Sequence, residues 1–185
     1  GTWTVDVATS DLLADSAVAV SATSADAAGN ATTTTATHDY SVDTDAPELT
    51  VSVDSITADN VVNAAESGAS VDVTGAVDGE FNAGDTVTLT VNNTEYTGTI
   101  AANGSWAIAV AGSDLAASDS LDVSVTTTDA AGNSTTTTTS HSYSVDVTAP
   151  ELTVAVDPVT SDNVINVAES GASVDITGAV TGEFN

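Results

Sequence analysis

The chain has 185 residues, of which 41 % are apolar and only 4 % aromatic, with 27 Asp and Glu, no Lys or Arg, no Cys, and a formal charge of −27. The absence of Cys rules out disulfides and thiolate metal sites, the absence of basic residues leaves nothing to neutralise a nucleic-acid phosphate, and no apolar run reaches the roughly 18 residues of a membrane-spanning helix. A compact fold this acidic needs positive charge from outside its own sequence, either bound divalent cations or high salt.

Laying Gly1 on Gly104 aligns residues 1–82 with 104–185 without a gap, and 54 of the 82 pairs are identical, so the chain is a window on a tandem array with a 103-residue period. A period near 100 matches an independently folding domain rather than a solenoid unit. The proline stretches around Asp43, Asp45, Ala46 and Pro47 and around Asp146, Thr148, Ala149 and Pro150 stop ladder pairing and mark the boundaries. Residues 1–47 then read as the C-terminal half of one repeat, 48–147 as a complete repeat and 148–185 as the N-terminal part of the next. With no Met and no signal-like start, the chain reads as an internal piece of a larger protein.

The expected elements follow in chain order, and the content of Val and Thr favours strands over helices. Trp3 opens a strand, with the D-A-A-G-N turn of Asp26 to Asn30 and a Thr run at 32–35 after it. In the complete repeat, alternation places Leu49, Val51 and Val53 on one face of a first strand, Val71 and Val73 in a second, and Val87, Leu89 and Val91 in a third. Tyr96 and Ile100 belong to a fourth; Trp106, Ile108 and Val110 to a fifth; Leu121, Val123 and Val125 to a sixth; His141, Tyr143 and Val145 to the last. Trp3 and Trp106 are expected to anchor cores, His38 and His141 to pack inward, and the Thr runs to face solvent. Seven strands between Gly, Asn and Asp turns in about 100 residues define an all-β fold of tandem immunoglobulin-like sandwiches without the disulfide.

Alternating strand directions sort the acidic loops to the two ends of the repeat. At the near end fall Asp43, Asp45 and Glu48 of the linker, the turn from Asp129 to Asn133, and the loop with Asp78, Glu80, Asn82 and Asp85. At the far end fall Asp59, Asn60, Asn63 and Glu66, then Asp114 and Asp119, and the next linker with Asp146 and Glu151. The neighbouring partial repeats carry equivalents at Asp26 and Asn30 and at Asp162, Asn163, Asn166 and Glu169. Convergent Asp, Asn and Glu oxygens suit a hard cation with six to eight ligands, which is Ca2+ rather than Mg2+ or Zn2+. Two plainer readings stand beside this one. Asp and Asn are good turn formers, and Asn63 with Glu66 has the spacing of a helix capping box. Between the linkers Asp45 becomes Thr148, so the second junction loses one carboxylate. No Ser, His and acid constellation recurs at one place and no Gly-rich loop follows a strand, so no enzyme is expected.

The motifs D-N-V-V-N-A-A-E at Asp59, A-G-D-T-V-T-L-T-V at Ala83, G-S-W at Gly104, S-D-L at Ser113, D-A-A-G-N at Asp129 and the D-x-x-A-P linker cover most of the chain. Together they resemble the bacterial immunoglobulin-like repeats of giant calcium-dependent RTX and biofilm adhesins exported by type I secretion. That resemblance implies an extracellular stalk on a bacterial cell surface. Neighbouring repeats of the same chain would be its partners, calcium would stiffen the junctions, and the adhesion target would be bound by other modules. The alternatives are a repeat that itself binds a glycan, ice or a partner cell, and an acidic surface adapted to high salt without a specific metal.

Overall fold

A computed structural model describes residues 1–183. Residues 1–8 precede a short helix α1 (Thr9–Leu13), after which strands β1 (Ala17–Ala25) and β2 (Ala31–Asp39) form an antiparallel hairpin. The central repeat runs through β3 (Leu49–Val53), β4 (Val61–Asn63), α2 (Ala64–Ser67), β5 (Ser70–Gly79), β6 (Thr86–Val91), β7 (Thr94–Thr99) and β8 (Ser105–Ala111). It continues with α3 (Gly112–Ala116), β9 (Ser120–Thr128), β10 (Ser134–Ser142) and β11 (Ser144–Asp146). A last hairpin pairs β12 (Leu152–Val156) with β13 (Gly178–Gly182).

Two sheets face each other in the central repeat: β3-β5-β8 on one side and β10-β9-β6-β7 on the other, each with antiparallel neighbours. Two-residue alternation makes this possible. Val87, Leu89 and Val91 of β6 and Leu121, Val123 and Val125 of β9 turn inward, and Val73, Val77, Trp106, Ile108 and Val110 meet them from the other sheet. Each fully buried Val or Leu contributes about 1.5–3 kcal/mol. Asn92 and Asn93, with φ of 48° and 58°, close the two-residue turn between β6 and β7 in the left-handed conformation that such hairpins require. The fold is almost entirely β, and the expected immunoglobulin-like sandwich is the observed architecture.

One pairing is absent from the alternation pattern. β4 lies parallel to β11, setting Val61 beside Ser144 and Asn63 beside Asp146, so a segment that reads as acidic loop is a short strand in a two-stranded ladder of its own. Asn60 makes the entry to it, with φ of 60°.

The aromatic anchors divide by repeat. Trp106 is 3 % exposed in the core, whereas Trp3 is 68 % exposed. In the complete repeat the strand bearing Trp106 pairs with β5, with Gly75 opposite the indole. Residues 1–47 contain no counterpart of β5, so Trp3 has no described strand to lie on. The histidines are not core residues either. His38 is exposed, and His141 is half-buried at the end of β10, with Nε2 3.0 Å from Asn60 Oδ1. The buried side chain there is Tyr143, whose hydroxyl donates to the Leu115 carbonyl at 2.9 Å; Tyr40 makes the same bond to Leu12 at 2.7 Å.

Candidate functional site

The strand directions bring three chain segments together at the near end of the central repeat. A cleft of about 450 Å³ opens between the linker residues Asp43 and Asp45, Glu80 and Asn82 of the β5–β6 loop, and Asp129 of the β9–β10 turn, floored by Phe81 and Thr127.

Each wall has a local cause. Asp129 organises its own turn: Oδ1 accepts from the backbone N–H of Ala131, Gly132 and Asn133 at 2.9, 2.7 and 2.8 Å, and Oδ2 accepts from Asn133 Nδ2 at 2.9 Å. These bonds, the Asn133 amide first among them, hold the Asp129 carboxyl below the ordinary Asp value. The repeat equivalent is built alike. Asp26 accepts from Ala28 N–H and from both the backbone and side chain of Asn30, and its carboxyl is lowered for the same reason. The turn is tied to the linker, because Asn133 Nδ2 also donates to the Asp43 carbonyl at 3.3 Å.

In the linker itself, Asp43 Oδ1 accepts from the Asp45 N–H at 3.2 Å, and Asp146 Oδ1 accepts from the Thr148 N–H at 3.0 Å, so both linkers adopt the same turn despite the Asp-to-Thr difference. The β5–β6 loop is fixed to the first strand and to β9. Glu80 Oε2 accepts from the Glu48 N–H, Glu80 N–H donates to the Glu48 carbonyl, and Asn82 Nδ2 donates to the Thr128 carbonyl at 2.9 Å. The Glu48 side chain lines an adjoining groove beside Asp78 and Thr135–Thr137 rather than the cleft.

The far-end residues have structural work of their own. Asp59 Oδ1 accepts from the Thr57 hydroxyl and Val61 N–H, which lowers its carboxyl, the Thr57 bond contributing most. Asn60 accepts from Ile56 N–H and donates to the Ser142 carbonyl, stapling this loop to β10. Asn63 and Glu66 form a reciprocal capping box on α2. Asp162, Asn163, Asn166 and Glu169 repeat the bonds made within this loop, but not the staple from Asn60 to Ser142. Asp114 is held by Tyr96, whose hydroxyl donates to Oδ2 at 2.6 Å, lowering the carboxyl and raising the phenol. Glu151 accepts from Glu183 N–H through its carbonyl, as Glu48 does from Glu80.

Among the candidate ligands, the fold therefore gathers Asp43, Asp45 and Asp129 around one cleft and ties Asn133 to its rim. Asp59, Asn60, Asn63 and Glu66 cluster at the opposite end, where Asp146 is strand partner to Asn63. Glu80 and Asn82 complete the near-end donor set. The signal for them was the G-E-F-N motif of residues 79–82, which recurs at 182–185. Among the described residues no three His, Cys, Asp or Glu side chains stand close enough together to hold a metal ion. The chemistry of the cleft nevertheless fits a hard cation: its polar lining is made of oxygen donors and no basic side chain competes for them. No described helix is long and apolar enough to cross a membrane.

Fold and site together define a tandem immunoglobulin-like repeat with acidic junctions. No protein-family profile matches the chain, and no curated protein does. Seven solved chains do, among them three from ice-binding adhesins. One is a Ca2+-stabilized adhesin that helps an Antarctic bacterium reach out and bind ice, 48 % identical with a TM-score of 0.85 over 97 % of this chain and 44 % of that one. A second comes from a 1.5-MDa bacterial ice-binding adhesin, 44 % identical with a TM-score of 0.73 over the whole of this chain and 60 % of that one. The third is a bacterial immunoglobulin-like domain from the M. primoryensis ice-binding adhesin, 50 % identical with a TM-score of 0.51 over 52 % of this chain and 96 % of that domain. The chain belongs to this family of bacterial immunoglobulin-like adhesin domains. It spans less than two thirds of the length of the first two structures.

Proposed function

We propose that the chain is an extender segment of a large adhesin on a bacterial cell surface, and that calcium at its acidic junctions stiffens the array. The observation that carries this reading is the cleft in which Asp43 and Asp45 of the linker face Glu80, Asn82 and Asp129 of the repeat, with Asn133 already bonded to the Asp43 carbonyl. A cation bound there would join the linker to the folded body and offset repulsion that the sequence cannot offset itself. Asp43, Asp45, Glu80 and Asn82 are the side chains that would have to draw closer together to hold it, since among the described residues no three carboxylates stand near enough as they are; Asp129, whose oxygens already accept four bonds, would chiefly shape the turn. An ion binding only the docked junction stabilises it by about 2.7 kcal/mol at a hundredfold excess over Kd, and extracellular sites of this kind have Kd of about 10⁻⁴–10⁻³ M. The high identity between repeats suits a spacer, since a recognition site would be duplicated along the whole stalk.

Small-angle scattering of the chain in millimolar calcium and then in chelator tests this. Calcium should lengthen the maximum dimension and narrow the distribution of sizes, with the β content unchanged. Equal dimensions in both conditions would refute stiffening.

A further inference from the structure

The two linkers enter the complete repeat at opposite ends, yet the first and last stretches of the repeat meet in one short ladder. From the near end the linker leads into β3, and the loop after it carries the backbone to β4. At the far end β11 runs directly into the second linker. Among the described strands β4 and β11 pair only with each other, in parallel, over Val61–Ser144, Val62–Val145 and Asn63–Asp146. Tension applied through the linkers therefore draws β4 toward the near end and β11 toward the far end. Because the strands are parallel, that pull runs along the ladder and loads its bonds together, whereas a hairpin pulled from its open end parts one bond at a time.

Asn60 reinforces this ladder. Held at φ 60°, it donates from Nδ2 to the Ser142 carbonyl at 3.0 Å, and its own carbonyl accepts from the Ser144 N–H at 3.1 Å. His141 Nε2 stands 3.0 Å from its Oδ1. Val62 of the ladder is fully buried, and Tyr143, next to β11, is anchored to the Leu115 carbonyl, so the pair cannot lift away without opening the core. Both halves recur at the repeat period, D-N-V-I-N at 162–166 and S-V-D at 41–43, so the neighbouring repeats carry the same two segments.

We infer that β4, β11 and Asn60 form a mechanical clamp, a shear-loaded tie between the two linkers that bears tension along the array and keeps each sandwich shut until it breaks. β3 shares the load at the near end through its five pairs with β5, but its release leaves the fold closed as long as β4 holds. β6 and β9 lie off this path and are still paired when the clamp gives way. That an array bears tension rests on the extender reading. The clamp itself belongs to the single repeat and needs no calcium, so its failure and the failure of calcium stiffening are distinguishable.

The full chain has no Cys, so an introduced pair supplies two unique handles for single-molecule stretching. Thr44→Cys with Ala149→Cys places them in the two linkers, and the molecule is held between them at constant force in chelator. Rupture of the central repeat is the step that lengthens the tether by roughly 300 Å, about 100 residues at about 3.4 Å each less the folded span. Asn60→Gly keeps the left-handed backbone and deletes the side-chain bonds, and Ser144→Pro removes the N–H that bonds to the Asn60 carbonyl. Each should shorten the lifetime under load about tenfold. Val123→Ala in β9 should lower the melting temperature yet leave that lifetime within about twofold, since its contacts survive to the point of rupture. Handles at Thr94→Cys and Ala131→Cys take β4 and β11 out of the load path, and there Asn60→Gly should lose its effect. The inference is overturned if Asn60→Gly leaves the lifetime between the linkers unchanged, or shortens it equally with either pair of handles. It is overturned too if Val123→Ala shortens the lifetime as much as Asn60→Gly does. Should Ser144→Pro fail to fold, the Asn60→Gly comparisons decide the matter alone.

Discussion

Trp106 and Gly75 are cross-strand partners in β8 and β5, and the indole is seated over the glycine so closely that a methyl group on Gly75 would overlap both the Trp106 ring and the Ser52 carbonyl. The glycine is there for space, not for an unusual backbone angle. Gly75→Ala should therefore destabilise the repeat by about 1–3 kcal/mol, the range for forcing extra volume into a packed core. Urea denaturation followed by Trp emission reads it directly. An unchanged midpoint would mean that the indole and the neighbouring strand of this sheet give way at Gly75 without cost.

Asn60 and Asn63 are predicted to matter for different reasons, and calcium separates them from metal ligands. Asn63→Ala removes the cap of α2 and should cost about 1 kcal/mol. Asn60→Ala should cost more. It deletes bonds to Ile56, Ser142 and His141 and places a Cβ-bearing residue without a stabilising amide at φ 60°. Both losses should be the same in saturating calcium and in chelator, as measured by thermal melting. A loss that appears only with calcium would make these residues ligands.

What the sequence disclosed depends on whether a residue's role is periodic or local. Val87, Leu89, Val91, Leu121, Val123 and Val125 could be placed in the core from two-residue alternation alone, and the 103-residue self-similarity announced a repeated domain. The sorting of loops by strand direction also put Asp43, Asp45 and Asp129 at one end, where they line one cleft. The parallel pairing of β4 with β11 was not legible, because three residues are too few to show a period and the left-handed Asn60 that starts β4 looks like any turn residue. His141 was misread for a related reason: alternation counts it as inward, but it sits where β10 ends, beyond the core and within reach of Asn60. The Trp3 expectation failed because a residue's burial belongs to its partner strand, and residues 1–47 contain none to cover it.

Acid should act through a few carboxylates rather than through total charge. Asp129, Asp59 and Asp114 have carboxyls lowered in the folded chain by the hydrogen bonds they accept. A lowered folded value means that the unfolded chain binds more protons near the ordinary Asp value of 3.8. Stability from these bonds is thus complete above that value and is lost as pH falls through the lower folded one. Mutual repulsion among the other carboxylates works in the opposite sense, since protonation relieves it. Comparing the chain with Asp129→Asn isolates the first effect. The difference in denaturant midpoint between the two should be constant above pH 5 and shrink steadily toward pH 2. A difference that grows on acidification would reverse the sign assigned to Asp129.

The two linkers provide a natural comparison for calcium, since they share one turn and differ at Asp45 and Thr148. The Asp45 N–H, not its carboxylate, makes the bond to Asp43 that sets this turn, and Thr148 N–H makes the same bond to Asp146. Asp45→Thr should therefore leave the linker conformation and the stability in chelator unchanged, removing one carboxylate from the cleft and nothing else. If that carboxylate helps hold a cation, calorimetric titration at fixed ionic strength should show calcium binding weakened by about tenfold, a loss of about 1.4 kcal/mol. The rise in melting temperature on adding calcium should shrink with it. Binding of equal strength in both chains would place the ion elsewhere, and heat without saturation in either would reduce calcium to a screening counterion.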